Sequence, residues 1–147
     1  MTQLVCPSCG AVNRLPQTRD PLEGRCGKCH APLLTGAPIE VTGPELQRRR
    51  ASTQGVALLL DVWAPWCGPC RTMAPQFAAA AAQLEPQVQL LKLNSEAEPQ
   101  AAAAMGVQGI PALFLIRDGA VVARTAGAMP SAQIVAWARN ALAGAAT

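Results

Sequence analysis

Val56 to Trp63 reads Val-Ala-Leu-Leu-Leu-Asp-Val-Trp, apolar at every position but one. A continuous apolar run of this length predicts a central strand covered on both faces. The exception is Asp61. Its parity matches Leu59 and Trp63, so the three share one face of the strand. Burying a charge there is costly, and its pKa is expected to rise. Ile39–Val41 and Val88–Asn94 read as further strands. Ala112–Ile116 and Val121–Thr125 flank Asp118-Gly119, a strong two-residue hairpin signal.

Between the strands the apolar period changes to that of a helix. Met73, Phe77, Ala80, Ala81 and Leu84 recur at helical spacing on a segment opening at Cys67, with Pro75 expected to kink it. Thr42-Gly43-Pro44-Glu45 matches a capping box, and its helix should run to about Ser52. Ser95-Glu96-Ala97-Glu98 matches a second, opening an alanine-rich helix that ends near Gly106. Ser131 is placed to cap a last helix that buries Ile134, Trp137, Ala138 and Ala141. Arg48-Arg49-Arg50 suggests a nucleic-acid patch, but successive helical residues point about 100° apart. The triplet reads as a solvated helix end. The order implies parallel neighbours early and an antiparallel pair late. The fold class is α/β, a mixed sheet with helices on both faces.

The first 37 residues break this pattern. They hold little apolar material and two cysteine pairs, Cys6-Pro7-Ser8-Cys9 and Cys26-Gly27-Lys28-Cys29, separated by sixteen residues. That spacing suits a four-cysteine zinc site. So short a segment buries little core, and a metal is the expected staple. Gly10 and Gly27 are expected to allow the tight turns of two knuckles. Four thiolates close a tetrahedral shell, so the zinc is expected to be structural. His30, beside Cys29, reads as an exposed neighbour rather than a ligand. Two units follow: a metal module over residues 1–37 and an α/β domain over 38–147.

The chain has 147 residues, 50% of them hydrophobic, 3% aromatic and none tyrosine. A formal charge of +3 is too weak to argue for nucleic acid or an anionic membrane. No apolar run approaches the roughly 18 residues that span a bilayer. Met1–Gly10 lacks the basic start and apolar core of a secretory signal, so a bacterial cytoplasmic location is expected. The six cysteines then point to metal or redox chemistry rather than a disulfide scaffold.

The third pair, Cys67-Gly68-Pro69-Cys70, lies between the buried strand and the helix after it. Cys67 is placed to cap that helix, where free N–H groups and the macrodipole favour a thiolate. Cys70 lies one turn on, within disulfide reach. Pro69 sits in the first turn, where its missing N–H costs little. Gly68 leaves the approach open. Cys67 reads as the exposed nucleophile and Cys70 as the shielded resolving thiol. Asp61 is the candidate proton manager for Cys70, through a water. Lys92 in the next strand is its candidate partner, and a purely structural Asp–Lys pair is the alternative.

Trp66-Cys67-Gly68-Pro69-Cys70 is similar to the active-site pentapeptide of the thioredoxin family. Asp61, Pro75, Lys92, Ile110-Pro111, Gly119 and Gly127 also stand where that family has them. With the cysteine-rich start, the whole chain resembles the zinc-containing thioredoxin 2 group of bacteria. The resemblance implies a thioredoxin fold preceded by a small zinc-ribbon-like module. It also implies a cis Ile110–Pro111 bond facing the redox pair, with Ile110 meeting the substrate backbone. Pro111 would block metal capture by the two thiols, Gly127 would admit a partner chain closely, and Trp66 would touch substrate beside Gly68 and Pro69. The function implied is reduction of client protein disulfides, with recycling by an NADPH-dependent thioredoxin reductase. The chain has no Gly-rich dinucleotide loop of its own. A monomer is expected. An oxidase or isomerase is disfavoured by the Gly-Pro between the cysteines. A zinc-coupled redox sensor or chaperone-like binding protein is the alternative from another class.

Overall fold

The computed structural model describes residues 1–146. The main sheet has the order β3-β5-β4-β6-β7. Its strands are β3 (Ile39–Glu40), β4 (Ala57–Trp63), β5 (Val88–Asn94), β6 (Ala112–Arg117) and β7 (Ala120–Ala126). β3, β5 and β4 run parallel, whereas β6 and β7 are antiparallel additions. All of the apolar run but Val56 thus becomes the middle strand, paired on both edges. Asp118 and Gly119 turn the β6–β7 hairpin with φ of 50° and 82°. Positive φ at both residues matches strand twist and suits this pair.

Helices cover both faces. α2 (Gly68–Leu84) and α4 (Ser131–Ala146) pack Met73, Phe77, Leu84, Ile134 and Ala138 against Leu59, Leu90 and Leu113. α1 (Gly43–Ser52) and α3 (Pro99–Ala104) pack Leu46 and Ala102 on the opposite face, against Leu58, Leu60, Leu93 and Phe114. Side chains alternate along β4, so both cores draw on the same strand. Each fully buried Leu or Phe stabilises by roughly 1.5–3 kcal/mol. α2 runs through Pro75 as one helix. No helix of the described residues is long and apolar enough to cross a membrane.

The N-terminal segment forms a hairpin of β1 (Thr2–Val5) and β2 (Val12–Leu15), two strands that the sequence reading did not contain. Leu4, Leu15, Leu33 and Leu34 pack there with Cys6, Cys26 and Val56. Val56 immediately precedes β4, so this small core leans on the main sheet. The Gln89 amide also donates to the Leu33 carbonyl at 3.4 Å.

Several local expectations are corrected. Thr42 does cap α1, accepting from the Glu45 N–H at 3.2 Å. The Ser95 box does not cap α3, which starts after Glu98 without a side-chain cap. Instead the Asn94 side chain accepts from the Glu96 and Ala97 N–H groups, making a local turn. Ser131 lies inside α4, and the Pro130 carbonyl receives the first N–H bonds. Trp137 is only half buried at the edge of the core.

The Arg48-Arg49-Arg50 triplet is not a solvated helix end. Arg48 donates to the Gly10 carbonyl at 2.8 Å. Arg49 is 3% exposed and donates to Gln89 at 3.0 Å. Arg50 donates to the Gly119 carbonyl at 2.9 Å. Because the three point in different directions, each ties α1 to a different part of the molecule.

Candidate active site and metal centre

β4 delivers the chain to a tight turn at Ala64–Trp66, and α2 begins at Gly68. Cys67 is the N-cap, and its sulfur accepts the Cys70 N–H at 3.2 Å. Cys67 and Cys70 form a disulfide with their Cα atoms 5.2 Å apart. The expected contrast in exposure is narrow, with Cys67 5% exposed and Cys70 2%. Access to the pair is open on one side, because Gly68 and Pro69 are exposed and Trp66 is 67% exposed.

Ile110–Pro111 is cis. This loop meets the redox pair, and Cys67 Sγ lies 3.9 Å from the Ile110 carbonyl oxygen. Ile110 packs against the small cluster of Ala64, Cys67 and Cys70. Gly127 follows β7 with φ of 106°, and its N–H donates to the Pro111 carbonyl at 2.8 Å. That conformation is strained for any residue with a Cβ. A Cβ built at Gly127 meets no heavy atom within 4 Å, so the space beside it is open. Trp66, Cys67, Ile110, Pro111 and Gly127 therefore come from three separate loops to one rim.

Asp61 is 1% exposed, and neither carboxylate oxygen has a hydrogen-bond partner. Burial pushes its carboxyl up to about 7, against the pull of the Lys92 ammonium. Lys92 is its register neighbour in β5. The Lys92 ammonium lies over the Trp63 ring, 4.6 Å from the centroid. One member of this group was missed in the sequence. Glu40 of β3 pairs with Lys92 on its other side, giving a row Glu40–Lys92–Asp61 across three strands. Glu40 accepts the Trp63 indole N–H at 3.1 Å, and its charge adds to the rise at Asp61. The periodic pattern held no signal for Glu40, since its place follows from β3 pairing with β5. Asp61 shares its strand face with Leu59, which contacts the Met73 side of α2.

The four remaining cysteines gather beside α1, where Cys6 and Cys9 line a cleft with Glu45, Arg48 and Arg49. Their sulfurs all lie within 4.8 Å of one another. Cys6 Sγ is 3.5 Å from Cys29 Sγ, and Cys9 Sγ is 3.6 Å from Cys26 Sγ. Tetrahedral zinc with bonds near 2.3 Å sets sulfurs about 3.8 Å apart, so the cluster fits that ion. The two knuckles repeat one backbone pattern. Cys6 and Cys26 donate to the Ala11 and Ala31 carbonyls, both at 2.8 Å. Gly10 and His30 donate back to the Cys6 and Cys26 carbonyls. Gly10 takes a φ of 78° as expected, but in the second knuckle the left-handed position is His30, at 66°, not Gly27. The Gly27 N–H is used instead on the Asn13 side chain at 2.9 Å.

The donor set also fits a cation. Ser8 and Cys9 N–H groups point at Cys6 Sγ, and Lys28 N–H and the Asn13 amide point at Cys26 Sγ. The Cys29 N–H and the Asn13 amide pull the Cys26 thiol down to about 6. Cys9 is helped by the Ala11 backbone, yet burial and its three sulfur neighbours push it up to about 11. Four thiolates this close repel unless a cation sits between them.

Comparison with known proteins agrees with this geometry. A family model described as Thioredoxin matches residues 41–140, and one described as Thioredoxin 2, N-terminal, matches residues 5–31. Thioredoxin C-3 of Corynebacterium nephridii is 40% identical over 134 residues, 91% of each chain. A thioredoxin of Haemophilus influenzae is 42% identical over 79 residues, covering 54% of this chain and 74% of that one. The crystal structure of a chloroplastic thioredoxin z superposes with a TM-score of 0.65 at 26% identity, over 73% of this chain and 96% of that one. The chain belongs to the thioredoxin family: it is a protein-disulfide reductase whose cysteine pair opens α2, preceded by a four-cysteine ribbon of the thioredoxin 2 type.

Proposed function

We propose that the chain reduces disulfides of client proteins through Cys67 and Cys70 and is itself re-reduced by an NADPH-dependent thioredoxin reductase. The observation that carries this reading is the cysteine pair at the N-terminus of α2, facing the cis Ile110–Pro111 loop. The Cys67 thiolate attacks one sulfur of a client disulfide. The client S–S bond breaks, a mixed disulfide forms, and the departing client thiolate takes up a proton. Cys70 then loses its proton and attacks Cys67 Sγ. The mixed disulfide breaks, the Cys67–Cys70 bond forms, and the client leaves with both thiols reduced. Two electrons pass from the pair to the client. The reductase returns them.

The Cys70 N–H directed at Cys67 Sγ favours the thiolate, as does the α2 N-terminus. Asp61 takes the Cys70 proton through a water. A carboxyl with a pKa of about 7 is matched to that task at neutral pH. Lys92 steadies the carboxylate that results. The client backbone lies along Ile110 and Gly127, with Trp66, Gly68 and Pro69 forming the facing rim. Pro111 offers no N–H and keeps metal ions from the thiols.

Cys6, Cys9, Cys26 and Cys29 hold Zn2+ in a closed structural site that supplies folding free energy rather than chemistry. We place the unit boundary at residues 37 and 38, and the protein in the bacterial cytoplasm as a monomer. The test is NADPH consumption with a bacterial thioredoxin reductase and insulin. Wild type should turn over and Cys67→Ser should not. Full turnover by Cys67→Ser would overturn the assignment of the nucleophile.

A further inference from the structure

Arg49 poses a problem of charge. Arginine is almost never fully buried unless its charge is matched. Here the side chain is 3% exposed, and its hydrogen bond goes to Gln89, a neutral amide. Gln89 is itself 2% exposed and donates onward to the Leu33 carbonyl. Arg49, Gln89 and Leu33 thus make a buried polar chain from α1 across β5 into the cysteine module. The question is what offsets the guanidinium.

The surroundings supply an answer. Arg49 lines a cleft of about 300 Å³ with Cys6, Cys9, Glu45 and Arg48. Glu45 lies one turn back on the same helix and is exposed, so water screens it. Cys6, by contrast, lines the same cleft and is only 1% exposed, so a charge on its sulfur is poorly screened from Arg49. A zinc ion bound by four thiolates carries a net charge of about −2, and two of its four ligands, Cys6 and Cys9, line this cleft. Arg48 reaches the same knuckle from outside, through the Gly10 carbonyl at 2.8 Å.

We infer that Arg49 is the buried counter-charge of the tetrathiolate metal centre, so that metal affinity depends on a residue of the thioredoxin domain. The inference rests on the metal reading above. It adds that α1 presents a cation to the back of the site, as outer-shell partners of metal ligands do. The same attraction makes metal loading favourable to the docking of the module on the domain.

The test is zinc affinity of the full chain, by competition with a chromophoric chelator, for wild type, Arg49→Gln and Arg49→Lys. Arg49→Gln should hold zinc about 10-fold or more weakly, the range typical of outer-shell partners. Arg49→Lys keeps the charge and should stay close to wild type. Insulin reduction should be unchanged in both variants, which reports that the domain is folded. Wild-type affinity in Arg49→Gln would overturn the inference. Equal losses in the two variants would do the same, because the role would then be packing. Failure of Arg49→Lys to fold counts against it too. A wild-type chain that takes up no zinc would sink the metal reading itself, a result distinct from any of these.

Discussion

Replacing Asp61 with asparagine removes a charge that the fold holds at a cost. The carboxyl rises from 3.8 to about 7 because the strand is covered on both faces. A shift of about three units corresponds to roughly 4 kcal/mol at 1.36 kcal/mol per unit. The sign follows from proton binding. The folded state keeps the proton up to about pH 7, whereas the unfolded chain loses it near pH 4. Wild-type stability therefore falls as pH rises between those values and then levels off. About two of the three units lie between pH 5 and pH 8.5, or about 3 kcal/mol. The asparagine side chain has nearly the same shape and never ionises. The assay is guanidinium unfolding of the oxidised, metal-loaded protein at both pH values. The stability advantage of Asp61→Asn over wild type should grow by about 3 kcal/mol from pH 5 to pH 8.5. An advantage constant to within about 0.5 kcal/mol would refute the buried, proton-holding carboxyl.

Other consequences are as direct. Asp61→Asn should slow the Cys70 attack on a mixed disulfide about 100-fold at neutral pH, the low end for loss of a general base; stopped-flow release of a labelled client reads this. Glu40→Gln keeps an acceptor for the Trp63 indole but removes a charge that raises Asp61. The pH midpoint of the Asp61-dependent stability loss should move down, and no movement would separate Glu40 from the row. Gly127→Val places a β-branched residue at a φ of 106° beside an open rim. It should raise KM for a protein client more than it lowers kcat. Metal stripping should free the β1–β2 hairpin, so hydrogen exchange at the Val5 and Val12 amides should accelerate while that of Leu59 does not.

The parts of the molecule that one stretch determines were legible in the sequence. The apolar run fixes β4, Asp118-Gly119 fixes the hairpin, and the cysteine spacing separates metal ligands from the redox pair. Asp61 stood out because a lone charge in an apolar run has few explanations. What stayed hidden depends on neighbours from elsewhere. The row Glu40–Lys92–Asp61 exists because β5 lies between β3 and β4. The arginines of α1 scatter around the helix as expected, but only the docked module and hairpin turn that scatter into three anchors. His30 takes a glycine's conformation because the second knuckle repeats the backbone of the first without its glycine. The capping box at Ser95 failed for a similar reason, since Asn94 offers the nearest acceptor.

The central claim is that Cys67 attacks and Cys70 resolves. The most direct measurement is mass spectrometry of the covalent adducts formed when Cys67→Ser and Cys70→Ser are each mixed with an oxidised client. Cys70→Ser should accumulate a stable mixed disulfide at Cys67, and Cys67→Ser should accumulate none. Adducts on Cys70 in the Cys67→Ser protein, formed as fast as those on Cys67, would contradict the account.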